Sequence, residues 1–441
     1  MSNESRKVSI VTFGCQMNKL DSELLAGALA DHGYAVVDDP EDASIVLYNT
    51  CSVRRHAEEK AFSHIGSFRR RAEREDDFVL GVIGCMAQRM GEDLTRRFDH
   101  VKLVCGTRQF PKVPTYLEEI KQGDGPIVAV DDDAEVDVCR NVEARPQSHH
   151  AYVSIMRGCD HFCAYCIVPY VRGREVSRRP AQVIEEVKRL ADDGVREVTL
   201  LGQNVDSYAK DFEDASLPDL LEKLNDVPGL QRIRFVTNHP ADMSEDILRA
   251  VADLPKVCEH LHVPAQSGSD RILERMKRGY TSGQYRDLIH RAKELIPEVE
   301  VASDFMVGFP GETAEDFEQT LGMVRDMRFQ QCFMFKYSPR PGTLAAKWED
   351  DVPRETKQEW LQRLLSAQAD VDLERRHGLI GEVKDVLVDG VSKQDETNLS
   401  GRTRQNDIVV FEGSRDLEGE IRPVEIVDTT RLTLFGKIVN N

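Results

Sequence analysis

Two successive trains of short apolar runs, each run separated from the next by an amphipathic helical stretch, constrain this chain more than any other feature. From residue 7 to about 130, KVSIVTF, DSELLAGALADHG, SIVLYN, AEEKAFSHIGSFRRR and FVLGVIG follow one another. Strands alternating with helices in this way pair in parallel, because each helix carries the chain back across the sheet. A second train starts at Ala151, with strand-like runs YVSIM, EVTLLG, IRFVT, HLHVP, EVASDFMVGF and QCFMFKY. Six such units fit an open or partial β/α barrel, with any chemistry at the carboxyl ends of its strands. Past residue 378 the pattern becomes short β-like runs broken by glycines and polar turns, the signature of a small all-β barrel. The expected fold class is therefore α/β: an N-terminal parallel-sheet domain over 1–125, a linker over 126–147, a central partial (β/α)6 barrel over 148–373 and a small all-β barrel over 376–441.

Composition limits the partners. The chain carries a formal net charge of -19, and such a field repels phosphates, so any nucleic-acid contact must be local. Local basic clusters exist at Arg69, Arg70 and Arg71, and at Arg172, Arg174, Arg178 and Arg179. No run of about 18 apolar residues is present, which argues against a membrane partner. The start, MSNESRKVSI, has no apolar h-region, so the expected location is the reducing cytoplasm, where disulfides are a poor use for cysteine.

The cysteines are then the residues to explain. Residues 156–166 read MRGCDHFCAYC, placing Cys159, Cys163 and Cys166 in a C-x3-C-x2-C array directly after the first strand of the second train. A structural zinc site wants four ligands, and His161 is one candidate fourth. An iron–sulfur cluster is usually held by four thiolates, so three leave one iron open to another ligand. Three further cysteines share one position in three successive units of the first train: Cys15 after VSIVTFG, Cys51 after IVLYNT and Cys85 after VLGVIG. In a parallel sheet those positions lie along one edge, with neighbouring strands about 4.8 Å apart. Burial as small hydrophobes is the competing reading. Cys105 and Cys332 look like core residues.

The C-x3-C-x2-C array with Tyr165 before its last cysteine, at the top of the first strand of a partial barrel, resembles the radical SAM superfamily. In that superfamily the open iron chelates S-adenosylmethionine, and one electron splits a sulfonium carbon–sulfur bond to give a 5′-deoxyadenosyl radical. FGCQMN, YNTCSVR and GVIGCMAQ resemble the N-terminal domain of its methylthiotransferases. The likeness continues through SIMRGCDHFCAYCIVPYVRGREVSR, LLGQNV, VPAQSGSDRIL, SDFMVGFPGET and YSPRPGT to a terminal barrel similar to the TRAM RNA-binding domain. Among the branches, FGCQMN, NTCSVR and LSGRTRQNDIVVFEG look like the MiaB type, which acts on an isopentenylated adenosine beside the anticodon of tRNA.

The resemblance implies two 4Fe-4S clusters, one on Cys159, Cys163 and Cys166 that cleaves S-adenosylmethionine and one on Cys15, Cys51 and Cys85 that carries the sulfur. It implies two molecules of S-adenosylmethionine, one methylating the sulfur and one generating the radical, with a reductant protein and a sulfur source as further partners. Polar or small residues at strand ends are the candidate cofactor contacts: Tyr165, Gln203, Asn204, Gln266, Ser303, Asp304, Gly308 and Gly311. Arg402, Arg404 and Phe411 are the candidate RNA contacts, since arginine serves phosphates and both residue types stack on bases. Three alternatives stay open at this point: the same chemistry on a threonylcarbamoyl adenosine, the same chemistry on an aspartate of a ribosomal protein, and a nonenzymatic zinc-containing RNA-binding protein.

Overall fold

The computed structural model describes residues 6–52, 55–131, 149–393 and 395–439. The chain forms two compact units, one of Met1–Pro146, Arg157–Asp160 and Cys166–Val176, the other of Gln147–Met156, His161–Tyr165 and Ser177–Asn441. Among the described residues, no helix is long and apolar enough to cross a membrane.

The first unit is built on a six-stranded sheet whose pairings are all parallel. Its strands are Lys7–Phe13, Ala35–Val36, Ile45–Thr50, Val79–Gly84, Val101–Cys105 and Ile127–Ala129, and the second lies outside the first while the others follow in chain order. Ile45–Thr50 and Val79–Gly84 are buried along their whole length, as expected of central parallel strands covered on both faces. Side chains alternate between those faces. Val46, Tyr48, Leu80, Val82 and Val104 join one core, and Ile45, Leu47, Val79, Ile83, Leu103 and Cys105 the other. The strand Ile127–Ala129 pairs with Val101–Cys105, so the first residues of the expected linker belong to the sheet. From 132 to 147 that linker lies outside the described residues.

The second unit carries six parallel strands in chain order. His150–Ser154, Glu197–Leu201 and Arg232–Phe235 form one sheet; His260–His262, Glu300–Val307 and Gln331–Lys336 form another. A parallel bridge between Ile233 and Val257 joins the two, giving the open six-stranded barrel anticipated from the second train. Helices with hydroxyl caps follow several of its strands: Ser216, Ser244, Thr281 and Thr313 each accept a backbone N–H of the first turn, satisfying donors that a helix start otherwise leaves open. The last helix, Arg354–His377, runs a full turn past the expected boundary at 373.

The terminal segment closes into a five-stranded barrel of Val383–Val391, Asn398–Arg402, Ile408–Glu412, Ile421–Thr429 and Leu434–Ile438. Val386, Val388, Leu399, Val409, Phe411, Val424, Ile426 and Leu434 fill it. It docks on the larger barrel through buried arginines that reach main-chain carbonyls. Arg232 donates to Arg402 O and Asp385 O at 2.8 Å, and Arg234 to Thr403 O at 2.7 Å and Arg404 O at 2.6 Å. Glu197, itself buried, holds Arg234 at 2.9 Å. Arg234→Met leaves the Glu197 carboxylate only the longer pairing with Arg232 at 3.9 Å, and breaking one side of a buried pair costs up to about 3–5 kcal/mol. The expected outcome is a lowered midpoint of urea unfolding followed by tryptophan fluorescence, since both tryptophans, Trp348 and Trp360, lie in the second unit.

Candidate metal centre at the sheet edge

Register decides where the three N-terminal cysteines fall. Phe13, Thr50 and Gly84 lie in one row across three adjacent strands. Cys15 is two residues past that row, and Cys51 and Cys85 are each one residue past it. The structure thus brings all three thiols to the carboxyl edge of the sheet. Cys15 caps the helix Gln16–Asp31, and Cys85 opens the helix Cys85–Met90. Cys15 is exposed, while Cys51 and Cys85 are buried. A hydrogen bond with Cys51 pushes the Cys15 thiol down to about 6, against desolvation by the protein crowded around it and with help from the Arg172 charge. Burial pushes Cys85 up, against the same Arg172 charge. Three soft donors in this arrangement, one already acidic, suit a metal that binds thiolate.

Their loops are braced by buried amides. Asn18 donates from Nδ2 to Asn49 Oδ1 at 2.9 Å and accepts the Cys15 thiol on Oδ1 at 3.2 Å. Asn49 Nδ2 donates back to Asn18 O and to Ser22 Oγ, both at 2.9 Å. Gly84 has φ +94°, and a Cβ there would stand 2.5 Å from Asn49 Oδ1 and 2.8 Å from Thr50 O. Only glycine lets the third loop approach the second this closely. Beneath the edge sits Asp21, 1% exposed, accepting from Arg157 at 3.1 Å and from Arg172 at 2.8 Å. Sequence reasoning missed Asn18, Asp21, Asn49 and Arg157. The signal for Asn49 was visible, since an amide inside the apolar run IVLYNT demands buried partners.

The boundary between the two units runs through the C-x3-C-x2-C array: Cys159 and Cys166 belong to the first and Cys163 to the second. In the first, Cys159 N–H donates to Gly173 O at 3.2 Å. In the second, Arg278 Nη1 donates to Cys163 Sγ at 3.3 Å. Ala164 is pinned by bonds to Met276 O at 2.9 Å and from Ala345 N–H at 2.8 Å. Phe162 holds φ +47°, a left-handed conformation that costs a bulky residue roughly 1–2 kcal/mol and shows how tightly this loop is folded. His161 takes a carboxylate partner, Asp242, and stacks on His239 with ring centroids 3.6 Å apart.

The remaining sequence candidates divide. Tyr165 packs edge-on to Phe309, with centroids 6.3 Å apart. Gln203 is half-buried past the second barrel strand. Asn204 donates to Asp242 Oδ2 at 2.7 Å. Gln266, at φ +68°, joins the barrel by backbone bonds to Asp304 O at 2.8 Å and from Met306 N–H at 2.9 Å. Asp304 pairs with His262 at 2.7 Å.

Five candidates have other commitments. The Ser303 hydroxyl is buried and committed to Val263 O at 2.9 Å and Ala265 N–H at 3.0 Å, so it braces the strand. A Cβ on Gly308 would meet Lys357 Cγ at 2.2 Å, which makes that glycine a packing requirement. Gly311 N–H is used by Asp351 Oδ1 at 2.7 Å. Phe411 is 2% exposed in the small barrel's core and has no face for a base. Arg404 is spent on docking, with bonds to Glu259 at 2.6 and 2.7 Å and to Val257 O at 2.7 Å. Arg402 differs, with 39% of its side chain exposed.

Comparison with known proteins agrees with this layout. Residues 7–106 match the family described as uncharacterized protein family UPF0004, residues 153–324 the radical SAM superfamily and residues 379–439 the TRAM domain. Among solved structures, the radical S-adenosylmethionine methyltransferase TsrM from Kitasatospora setae, with cobalamin and a [4Fe-4S] cluster bound, aligns at TM-score 0.55 and 16% identity. It covers 78% of this chain and 74% of its own, a likeness of fold. The tRNA-2-methylthio-N(6)-dimethylallyladenosine synthase of Dictyoglomus thermophilum is 44% identical over 433 residues, 98% of both chains. That of Syntrophotalea carbinolica is 43% identical, over 97% of this chain and 98% of its own. At that identity over nearly the whole length, the chain belongs to the tRNA-2-methylthio-N(6)-dimethylallyladenosine synthase family.

Proposed function

We infer that this protein transfers a methylthio group to C2 of an N6-isopentenyladenosine next to the anticodon of tRNA. What carries the reading is the near full-length similarity to synthases of that name, together with a second set of three cysteines aligned on one sheet edge. The C2–H bond of adenine is not activated toward ionic substitution, so radical chemistry is a reasonable demand. Cys159, Cys163 and Cys166 are proposed to hold one 4Fe-4S cluster, and Cys15, Cys51 and Cys85 the other. When bound, these groups supply the electron that cleaves S-adenosylmethionine and the iron that carries sulfur for transfer.

The chain's own part is placement and shielding. Asn18 and Asn49 fix the loops of the second set, so its thiols converge before anything binds and less ordering entropy is lost on binding. Arg278 stands at Cys163 and disperses thiolate charge. Tyr165, Gln203, Asn204, Gln266 and Asp304 remain the proposed contacts for S-adenosylmethionine, and Arg402 for RNA phosphate. A reductant and a sulfur source complete the stoichiometry, and a cytoplasmic location goes with the substrate.

Incubation of the reconstituted protein with isopentenylated tRNA, S-adenosylmethionine and dithionite, followed by nucleoside mass spectrometry, is expected to show the 2-methylthio product. Product found only with a threonylcarbamoylated tRNA or a ribosomal protein would move the activity to those substrates. Anaerobic reconstitution is expected to give about eight irons per chain. Gly84→Ala, by forcing Asn49 and Thr50 away from the third loop, should lower this to about four, as should the triple variant Cys15→Ala, Cys51→Ala, Cys85→Ala. Colorimetric iron and sulfide assays read the difference.

A further inference from the structure

The helix Val168–Arg172 starts two residues after Cys166, yet its buried side serves the other cysteine set. Val171, with Ile167, packs on Cys85, and Thr107 Oγ1 fixes the helix end by donating to Val171 O at 2.8 Å. The next residue, Arg172, is 5% exposed. Its Nη2 donates to Asp21 Oδ2 at 2.8 Å, while its Nη1 is buried with no hydrogen-bond partner. The Asp21 carboxylate is shared: Arg157 Nη2 donates to Oδ1 at 3.1 Å and Arg157 Nη1 to Thr107 O at 3.3 Å. Arginine keeps its proton in proteins. The Arg172 charge, sharing its carboxylate with a second guanidinium and with one nitrogen unbonded, is therefore buried beside Cys15 and Cys85, whose fields it feels. The same cleft is lined by Arg108 and Arg174, the latter paired with Asp160 at 3.2 Å.

A buried guanidinium nitrogen without an acceptor is costly, and an arginine placed only to hold the fold would not leave one. We propose that Arg172, positioned by Asp21, is the counter-charge of the Cys15, Cys51 and Cys85 set, and that it sets the reduction potential of the cluster held there. This rests on reading that set as cluster ligands. A fixed positive charge stabilises the more negative, reduced state, so it raises the potential; the neighbouring carboxylate opposes it. Arg157 and Arg172 flank the C-x3-C-x2-C array at both ends, and Asp21 lies six residues after Cys15. One carboxylate thus fastens the segments carrying Cys159 and Cys166 to the helix that Cys15 caps.

The test uses full-length protein in the background Cys159→Ala, Cys163→Ala, Cys166→Ala, which leaves the second set alone, with its midpoint potential measured by dye-mediated titration and electron paramagnetic resonance. Arg172→Met is expected to lower the potential, Arg172→Lys to restore most of it, and Asp21→Asn to raise it. A purely structural role does not produce opposite signs for the two partners of one ion pair. An unchanged potential in Arg172→Met, with iron retained, overturns the inference alone. No iron in the parent triple variant overturns the cluster reading and this inference with it. If Arg172→Met takes up no iron, the sign in Asp21→Asn decides, and a fall or no shift overturns the proposal.

Discussion

A single buried carboxylate shared by two arginines organises the first unit. Asp21 is reached from Arg157 and Arg172, residues more than a hundred positions away in the chain, and bonds of this kind are strong where solvent is excluded. Their cost is desolvation, which repays only when geometry and remaining partners are satisfied. Here the partners include the main-chain carbonyl of Thr107, so the network ties a helix, a strand-end loop and the segments on both sides of the cysteine array. Loops that carry thiols at a sheet edge have little apolar surface of their own to bury. A buried ionic network with directional bonds supplies the order that packing alone does not.

The architecture was legible because apolar period and parallel topology are tightly linked. Runs such as IVLYNT and VLGVIG read as covered strands, and they are buried throughout. Once the strands are parallel, residues one or two steps past each carboxyl end fall on one edge, so the likeness in position of Cys15, Cys51 and Cys85 translated directly into proximity. The closed terminal barrel followed from short runs and turn residues in the same way. The last helix, Arg354–His377, is legible to its end, since its last turn is rich in arginine and histidine, which favour a helix carboxyl end.

Side-chain roles were less legible than positions. Ser303 lies within the strand Glu300–Val307, and its hydroxyl is consumed by Val263 and Ala265. Strand alternation does not say which polar residue faces the lumen and which ties neighbouring strands. Phe411 illustrates the same ambiguity in a small barrel, where an aromatic residue fills the interior as readily as it serves the surface. Arg404 failed for another reason. Its partners, Glu259 and two carbonyls, lie some 145 residues upstream, and no local pattern announces a contact between two domains.

That last contact bears on how an acidic chain handles RNA. Arg232 and Arg234 of the larger barrel and Arg404 of the small one are spent on docking, which leaves the small barrel's attachment independent of its outer cations. Attachment by buried arginines to main-chain carbonyls is insensitive to which side chains decorate the barrel, so the surface is free to vary while its seat on the larger barrel stays rigid. A rigid seat matters when net charge disfavours phosphate, because the few remaining contacts, Arg402 being the one proposed, must then act together at fixed spacing, and preorganisation replaces raw electrostatic attraction. Affinity built this way depends less on salt than that of a basic patch and more on the shape of the folded RNA.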